Sequence, residues 1–459
     1  MRMETILKIN SALNEFVWGA VMLALFIFVG LYLTIKTSFV QTRAKLVFKN
    51  TIGKLLSDGK MEKGNGLSPF QAMTTALAGT VGTGNIAGVT GAIFIGGAGS
   101  VFWMWVSALL GMCTKYAEIT LAVHYRRTDS DGAHYGGPMY YIESGLGTRW
   151  RILAVIFALL CCAASLGIGN MTQSSEIAGA AKMLFGLDCK ICGVIIALAV
   201  GLVVLGGIKR IGAVTSYLVP IMSILYILAG LYIIIVRAQD IPHVLYQIVS
   251  EAFTVRALGG GAVGSGILCA LKQGFARGVF SNEAGLGSAP IAHAAADTDE
   301  PCEQAMWGVF EVFVDTIVIC SITAFTVLLS GITETSGGLD AYVSGGAAAG
   351  AAFNAIIPHG IGGALIQISL IFFAFSSIIC WCYYGERCVD YLSHCKQIAG
   401  VVYKLVFICF CYLGAVGSAS LVWDISDTLN GLMAIPNLIA LLLLSGTVSE
   451  LTRKYITGE

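Results

Sequence analysis

Charge is scarce in this chain. Asp, Glu, Lys and Arg make up 12% of its 459 residues, about half the share usual in a soluble domain. Acidic and basic residues balance at 27 each, so net charge is zero, and no basic stripe of the kind that grips nucleic acid is present. The six histidines fall in no metal-ligand or triad spacing, and HEXXH, P-loop and GXSXG patterns are absent. Neither an enzyme nor a bound cofactor is expected. A small-residue cleavage site is also missing after the first apolar run, Val17 to Leu33, which therefore reads as a retained helix rather than a signal peptide.

What fills the chain instead is apolar. Hydrophobic residues account for 56% and mean hydropathy is +0.81. Many of the 14 cysteines lie inside apolar runs, among them Cys161, Cys162, Cys380, Cys382, Cys409 and Cys411, where thiols pack as small hydrophobes. Cys189 and Cys192 form a C-x-x-C on an expected short loop, with no second pair or histidine nearby to complete a metal site.

Stretches of bilayer length number about eleven: 15–35, 68–96, 98–124, 151–178, 190–207, 212–236, 252–282, 304–331, 361–392, 399–422 and 428–446. The Gly- and Ala-rich segment 331–362 reads as an external connection containing a short helix. Lys and Arg collect on one side, from Lys36, Arg43, Lys45 and Lys49 through Arg126, Arg127, Lys209, Arg210 and Arg387 to Arg453 and Lys454. The other side holds Arg2, Lys8, Lys182, Lys190, Arg237 and Arg256. The positive-inside rule then places the N-terminus outside and the C-terminus inside.

One span stands apart. From Ala76 to Val89 it carries Gly79, Gly82, Gly84 and Gly88, and each glycine weakens a helix by about 1 kcal/mol relative to alanine. In hydrocarbon an unwound backbone survives only where protein or an aqueous cavity satisfies its polar groups. A break near Gly79–Asn85 therefore points to a site for a small polar solute or an ion. Setting the first span aside leaves five and five, and each half opens with a glycine-interrupted span, the second break being expected near Gly259–Gly266. An odd number per half gives inverted-topology repeats around a central site. The bland reading, glycine for close helix packing, explains one such span better than two in matching positions.

At a break, free N–H groups suit a carboxylate and free carbonyls suit Na⁺ or an ammonium group. A zwitterionic amino acid offers both partners. Thr83 and Asn85 add a hydroxyl and an amide, and Gly84 permits close approach to the backbone. In the second candidate break, Val263, Gly264, Ser265, Gly266 and Ile267 form a weak point whose bulkiest members predict a narrow apolar pocket. Gln173 accompanies Asn170 and Thr172 in the fourth span, with solute contact and helix–helix bonding both open. The Phe373 carbonyl with Ser376 and Ser377, at i, i+3 and i+4, offers an oxygen cage for Na⁺, against back-bonding of the serines to their own helix. Lys115 and Glu118, three apart on one face, are expected to pair. Glu311 and Asp315 lack a local partner; pairing with a neighbouring helix is set against a proton or cation path.

Three stretches carry a resemblance: Gly79-Thr-Val-Gly-Thr-Gly-Asn85, Val101-Phe-Trp-Met-Trp through Lys115-Tyr-Ala-Glu118, and Gly278-Val-Phe-Ser-Asn-Glu-Ala-Gly-Leu-Gly-Ser-Ala-Pro290. The chain resembles the alanine/glycine:cation symporters of the amino acid–polyamine–organocation superfamily across essentially its whole length. The resemblance implies an all-α membrane protein of LeuT type, a 5+5 inverted repeat with one additional N-terminal helix. Its parts would be an N-terminal helix and basic linker (1–67), two five-helix repeats (68–236 and 237–446) and a cytoplasmic tail (447–459). It implies Na⁺-coupled uptake of L-alanine or glycine across the cell membrane. Thr83 and Gly84 would meet the substrate carboxylate, with Gln173, Gly266 and Ile267 completing the pocket. Carbonyls of Ala78 and Val81 would join Phe373, Ser376 and Ser377 around Na⁺, and Ser281–Gly285 would be gate structure on the cytoplasmic side. The alternatives are a proton-coupled symporter of the same fold and, from another class, an ion channel.

Overall fold

The computed structural model describes residues 2–57, 66–129, 132–254, 265–335, 338–342, 344–417 and 419–458. Apart from one hairpin, Arg127–Thr128 with His134–Tyr135, the regular structure is helical. Ten helices carry the argument: α1 (Ala20–Lys36), α2 (Pro69–Thr80), α3 (Val89–Gly96), α4 (Gly99–His124), α5 (Thr172–Phe185), α6 (Ser265–Asn282), α7 (Ala289–His293), α8 (Pro301–Val312), α9 (Ile361–Ser393) and α10 (Ala419–Leu443).

Among the described residues eight helices are long and apolar enough to cross a membrane, or nine if the bent pair α2 and Gly84–Gly96 is one span. The expected fifth span is a shorter apolar helix of 16 residues, Cys189–Val204. Cys189 therefore opens a helix, and the C-x-x-C does not sit in a loop. Of the expected seventh span, the described residues are the end of the helix Ile241–Phe253, Thr254 and α6, and 331–362 contains the helix Gly345–Ile356.

Local chemistry sets where the second span begins and fails. Ser68 caps α2 reciprocally: its hydroxyl accepts from the Gln71 N–H and its own N–H donates to Gln71 Oε1, both at 3.1 Å, with Pro69 preset at the first helical position. The helix ends at Thr80, Val81 turns extended at φ −77°, ψ 93°, and the axis is bent by 48° across the break. Wider i→i+5 turns follow at Gly84–Gly88 and recur at Gly167–Met171 and Phe313–Cys320, a distortion common beside functional sites.

α4 is the most enclosed of the long apolar helices, with 83% of its apolar window buried, and it packs chiefly on α6 and α8. On the other side of the break, α9 packs against α2 and α5. A short parallel bridge joins two remote ends: the Leu67 N–H donates to the Ala295 carbonyl at 3.0 Å, and the Asp297 N–H to the Leu67 carbonyl at 2.7 Å.

Candidate binding site at the broken helices

Once α2 stops, its last carbonyls lose their helical partners. Ser377 of α9 meets them: its Oγ lies 3.0 Å from the Ala78 carbonyl, 3.5 Å from that of Val81 and 3.1 Å from that of Phe373. Ser376 Oγ lies 2.8 Å from the Phe373 carbonyl and 3.5 Å from that of Ala78. All five residues expected around Na⁺ thus converge in a fully buried cluster of neutral oxygens. Gly82 is needed for this approach, because a Cβ there would stand 2.5 Å from Ser377 Oγ. Among the described residues no group of three His, Cys, Asp or Glu is placed to hold a metal.

Beyond the break, the Thr83 N–H donates to Gln173 Oε1 at 3.3 Å, and Gln173 Nε2 donates to the Ile168 carbonyl at 3.2 Å. The Thr83 hydroxyl is buried without a hydrogen-bond partner, which is costly unless something else supplies one. Asn85 is engaged at both ends of its amide. Its Oδ1 accepts from the Gly82 N–H at 2.9 Å and its Nδ2 donates to Asp315 Oδ1 at 2.7 Å. The other Asp315 oxygen accepts from Ser281 and Thr316 hydroxyls, each at 2.8 Å. Asp315 therefore ties the first break to α6 through neutral donors.

Val263 and Gly264 lie outside the described residues, as does most of the expected break at Gly259–Gly266; Ser265, Gly266 and Ile267 open α6. Within the described residues this span is interrupted later, between Asn282 and Ala289, where Glu283, Gly285 and Gly287 take φ of 55°, 90° and 82°. It is this end of α6 that reaches the first break. A Cβ on Gly84 would stand 3.0 Å from the Phe280 ring and 3.8 Å from Ser281 Cα. Residues 281–288 are all buried.

Side chains of α4 service this second interruption. Glu118 Oε1 accepts the N–H groups of Gly285 and Gly287 at 3.0 and 3.1 Å, together with Asn437 Nδ2. Lys115 Nζ donates to the Asn282 carbonyl at 2.7 Å and pairs with Glu311 Oε1 of α8 at 2.8 Å. The expected Lys115–Glu118 pair is not formed, because each head is drawn to unpaired backbone and to another helix. Glu311 also accepts from Thr80 at 3.3 Å and lies 3.0 Å from His293 Nε2, so it pairs with neighbouring helices.

On the α10 side, Phe280 stacks on Trp423 with centroids 5.7 Å apart. Arg277 covers both rings and reaches Asp427 at 3.6 Å. Phe280, Lys115 with its distant partners, and this capped aromatic pair escape sequence reasoning. A usable signal for the second break was Gly285-Leu-Gly287 followed by Pro290 near the start of a new helix.

A family model for the sodium:alanine symporters matches residues 3–459. The chain belongs to the sodium:alanine symporter family. It is 44% identical over 455 residues to the sodium/alanine symporter AgcS of Methanococcus maripaludis, covering 99% of this chain and 98% of that protein. Its fold is that of LeuT-like transporters. The crystal structure of MhsT in complex with L-phenylalanine superposes with a TM-score of 0.54 at 15% identity, over 85% of this chain and 99% of the other. A substrate-bound Na⁺-coupled sialic acid symporter gives 0.54 at 14% identity, over 96% and 85%. This family member is therefore a multi-pass symporter of the cell membrane and not an enzyme.

Proposed function

We propose that this chain carries small neutral amino acids, alanine and glycine, into the cell together with Na⁺ by alternating access. The observation that carries the reading is the meeting of Ala78, Val81 and Phe373 carbonyls with the Ser376 and Ser377 hydroxyls within 3.5 Å, an oxygen set suited to Na⁺ at a helix break. The family and the AgcS relative support alanine as cargo.

In this reading Thr83 and Gly84 receive the substrate carboxylate at the positive end of the outward half-helix. The unpartnered Thr83 hydroxyl gains its missing bond, Gln173 steadies the Thr83 N–H, and Asn85 holds Gly82 in place. Val263, Gly264, Ser265, Gly266 and Ile267 enter through the glycine-rich sequence of the expected second break, Gly266 and Ile267 through the resemblance as well. The ring against Gly84 is Phe280, to which we assign the wall that excludes bulky side chains. Phe280→Ala should admit competition by leucine and methionine; if Ile267→Ala does so instead, the wall lies at the start of α6. The reading also keeps the N-outside, C-inside orientation, the repeats 68–236 and 237–446, the preceding helix within 1–67 and the tail 447–459.

Labelled alanine uptake into proteoliposomes, with Na⁺, K⁺ and pH gradients imposed separately, tests the coupling. An inward Na⁺ gradient alone should drive accumulation, each inward charge contributing about 2.3 kcal/mol per 100 mV of membrane potential. Uptake driven only by a pH gradient hands the function to the proton-coupled alternative. A non-saturating flux without a fixed ion ratio hands it to a channel.

A further inference from the structure

The hydrogen bonds that reach the Ala78 and Val81 carbonyls at the first break come from the neutral hydroxyls of Ser376 and Ser377. At the second, the carbonyl of Asn282, the last residue of α6, takes the ammonium of Lys115 at 2.7 Å. A helix C-terminus carries partial negative charge and favours a cation. Here the cation is part of the chain. It is fully buried, and Glu311 fixes it at 2.8 Å while Thr80 and His293 hold Glu311. One turn further along α4, the Glu118 carboxylate occupies the N–H groups of Gly285 and Gly287. The second interruption thus already holds an ammonium and a carboxylate, the two charges that a free amino acid offers.

The other buried carboxylates beside the breaks are engaged by chain donors. Asp315 takes Asn85, Ser281 and Thr316, and Glu283 Oε2 takes the Ser288 hydroxyl at 2.5 Å. Of the two breaks within the described residues, the first, at Ala78, Val81, Phe373, Ser376 and Ser377, joins carbonyls to hydroxyls with no ammonium bonded to it.

We propose that Lys115 is a tethered counter-cation for the second interruption, so that one mobile Na⁺, and not two, accompanies each substrate. Lys115 is a positioning residue: it fixes the end of α6 and fills the place a second ion would take. This rests on the reading that Na⁺ is the coupling ion at the first break.

The coupling ratio measures it directly on the full-length protein in proteoliposomes. With membrane potential clamped at zero and a tenfold inward Na⁺ gradient, the outward alanine ratio that stops net flux should be about tenfold for one ion and about hundredfold for two. The expected result is the first; the second overturns the proposal. A balance point at equal alanine, indifferent to Na⁺, is a separate outcome that sinks the functional reading itself. Lys115→Arg, which keeps the charge, should preserve a ratio of one. Lys115→Met, which leaves Glu311 and the Asn282 carbonyl facing an empty position, should make uptake sigmoidal in Na⁺ with half-saturation raised at least tenfold. A hyperbolic dependence with unchanged half-saturation in a folded Lys115→Met protein overturns the role of the ammonium. Should that variant not fold, the wild-type and Lys115→Arg ratios still decide the matter.

Discussion

Between Val81 and Gly84 the chain leaves its helix among hydroxyls and amides, whereas between Asn282 and Ala289 it runs among Lys115, Glu118 and Glu283. Both stretches strip the same backbone groups of helical partners, and in neither is water the default solution at this depth. The first is satisfied by groups that release easily, each exchange of a neutral hydrogen bond being worth about 0.5–1.5 kcal/mol net. The second is satisfied by buried ions, and removing one ion of such a pair costs about 3–5 kcal/mol. On the proposed function, the difference separates a site that fills and empties from one that stays filled.

That contrast breaks most visibly at Glu311. Glu311→Ala leaves the Lys115 ammonium buried without its carboxylate, and the expected loss is about 3–5 kcal/mol of stability, read as a lowered melting temperature in detergent. Adding Lys115→Met should recover most of that loss, and an unaltered melting temperature in Glu311→Ala would deny that the second break depends on charge. Gly82→Ala comes next. The new methyl meets Ser377 Oγ, and overpacking of about 1–3 kcal/mol should cut uptake about tenfold or more with little change in melting.

Ser377→Ala is a gentler probe of the first break. One lost oxygen should raise Na⁺ half-saturation roughly two- to tenfold, with the alanine KM at saturating Na⁺ unchanged; full retention of Na⁺ affinity removes the serine from the cage. The smallest effect belongs to Arg277→Ala. Its pair with Asp427 is partly exposed, at 24% and 16%, and such pairs contribute about 1 kcal/mol or less. Alanine KM should rise a few-fold with the Na⁺ dependence untouched, since neither Arg277 nor the rings beneath it touch the serines.

The first break was legible because its signal is local: four glycines inside one apolar span, and two hydroxyls spaced i+3 and i+4 from a carbonyl on another. The expectation at Gly259–Gly266 follows from a glycine triplet and falls mostly outside the described residues, whereas the interruption after Asn282 carries Gly285 and Gly287 at positive φ, a region that favours glycine. Helical spacing put Lys115 and Glu118 on one face, yet spacing cannot reveal that Glu311 of α8 or the turn at Gly285 offers each a better partner. The eleven apolar stretches map onto helices of unequal length, since periodicity gives the location of apolar chain and not where a helix stops.

The bridge at Leu67 has a mechanical consequence. It fastens the root of α2 to the strand of chain leaving α7 by two main-chain hydrogen bonds, and Gln304 clasps the same root through the Pro69 carbonyl at 3.3 Å. The two helix ends are therefore hitched like the jaws of one latch. Any swing of one end must carry the other or tear that stitch, so the pair moves as a lever with a single handle rather than as two that turn independently.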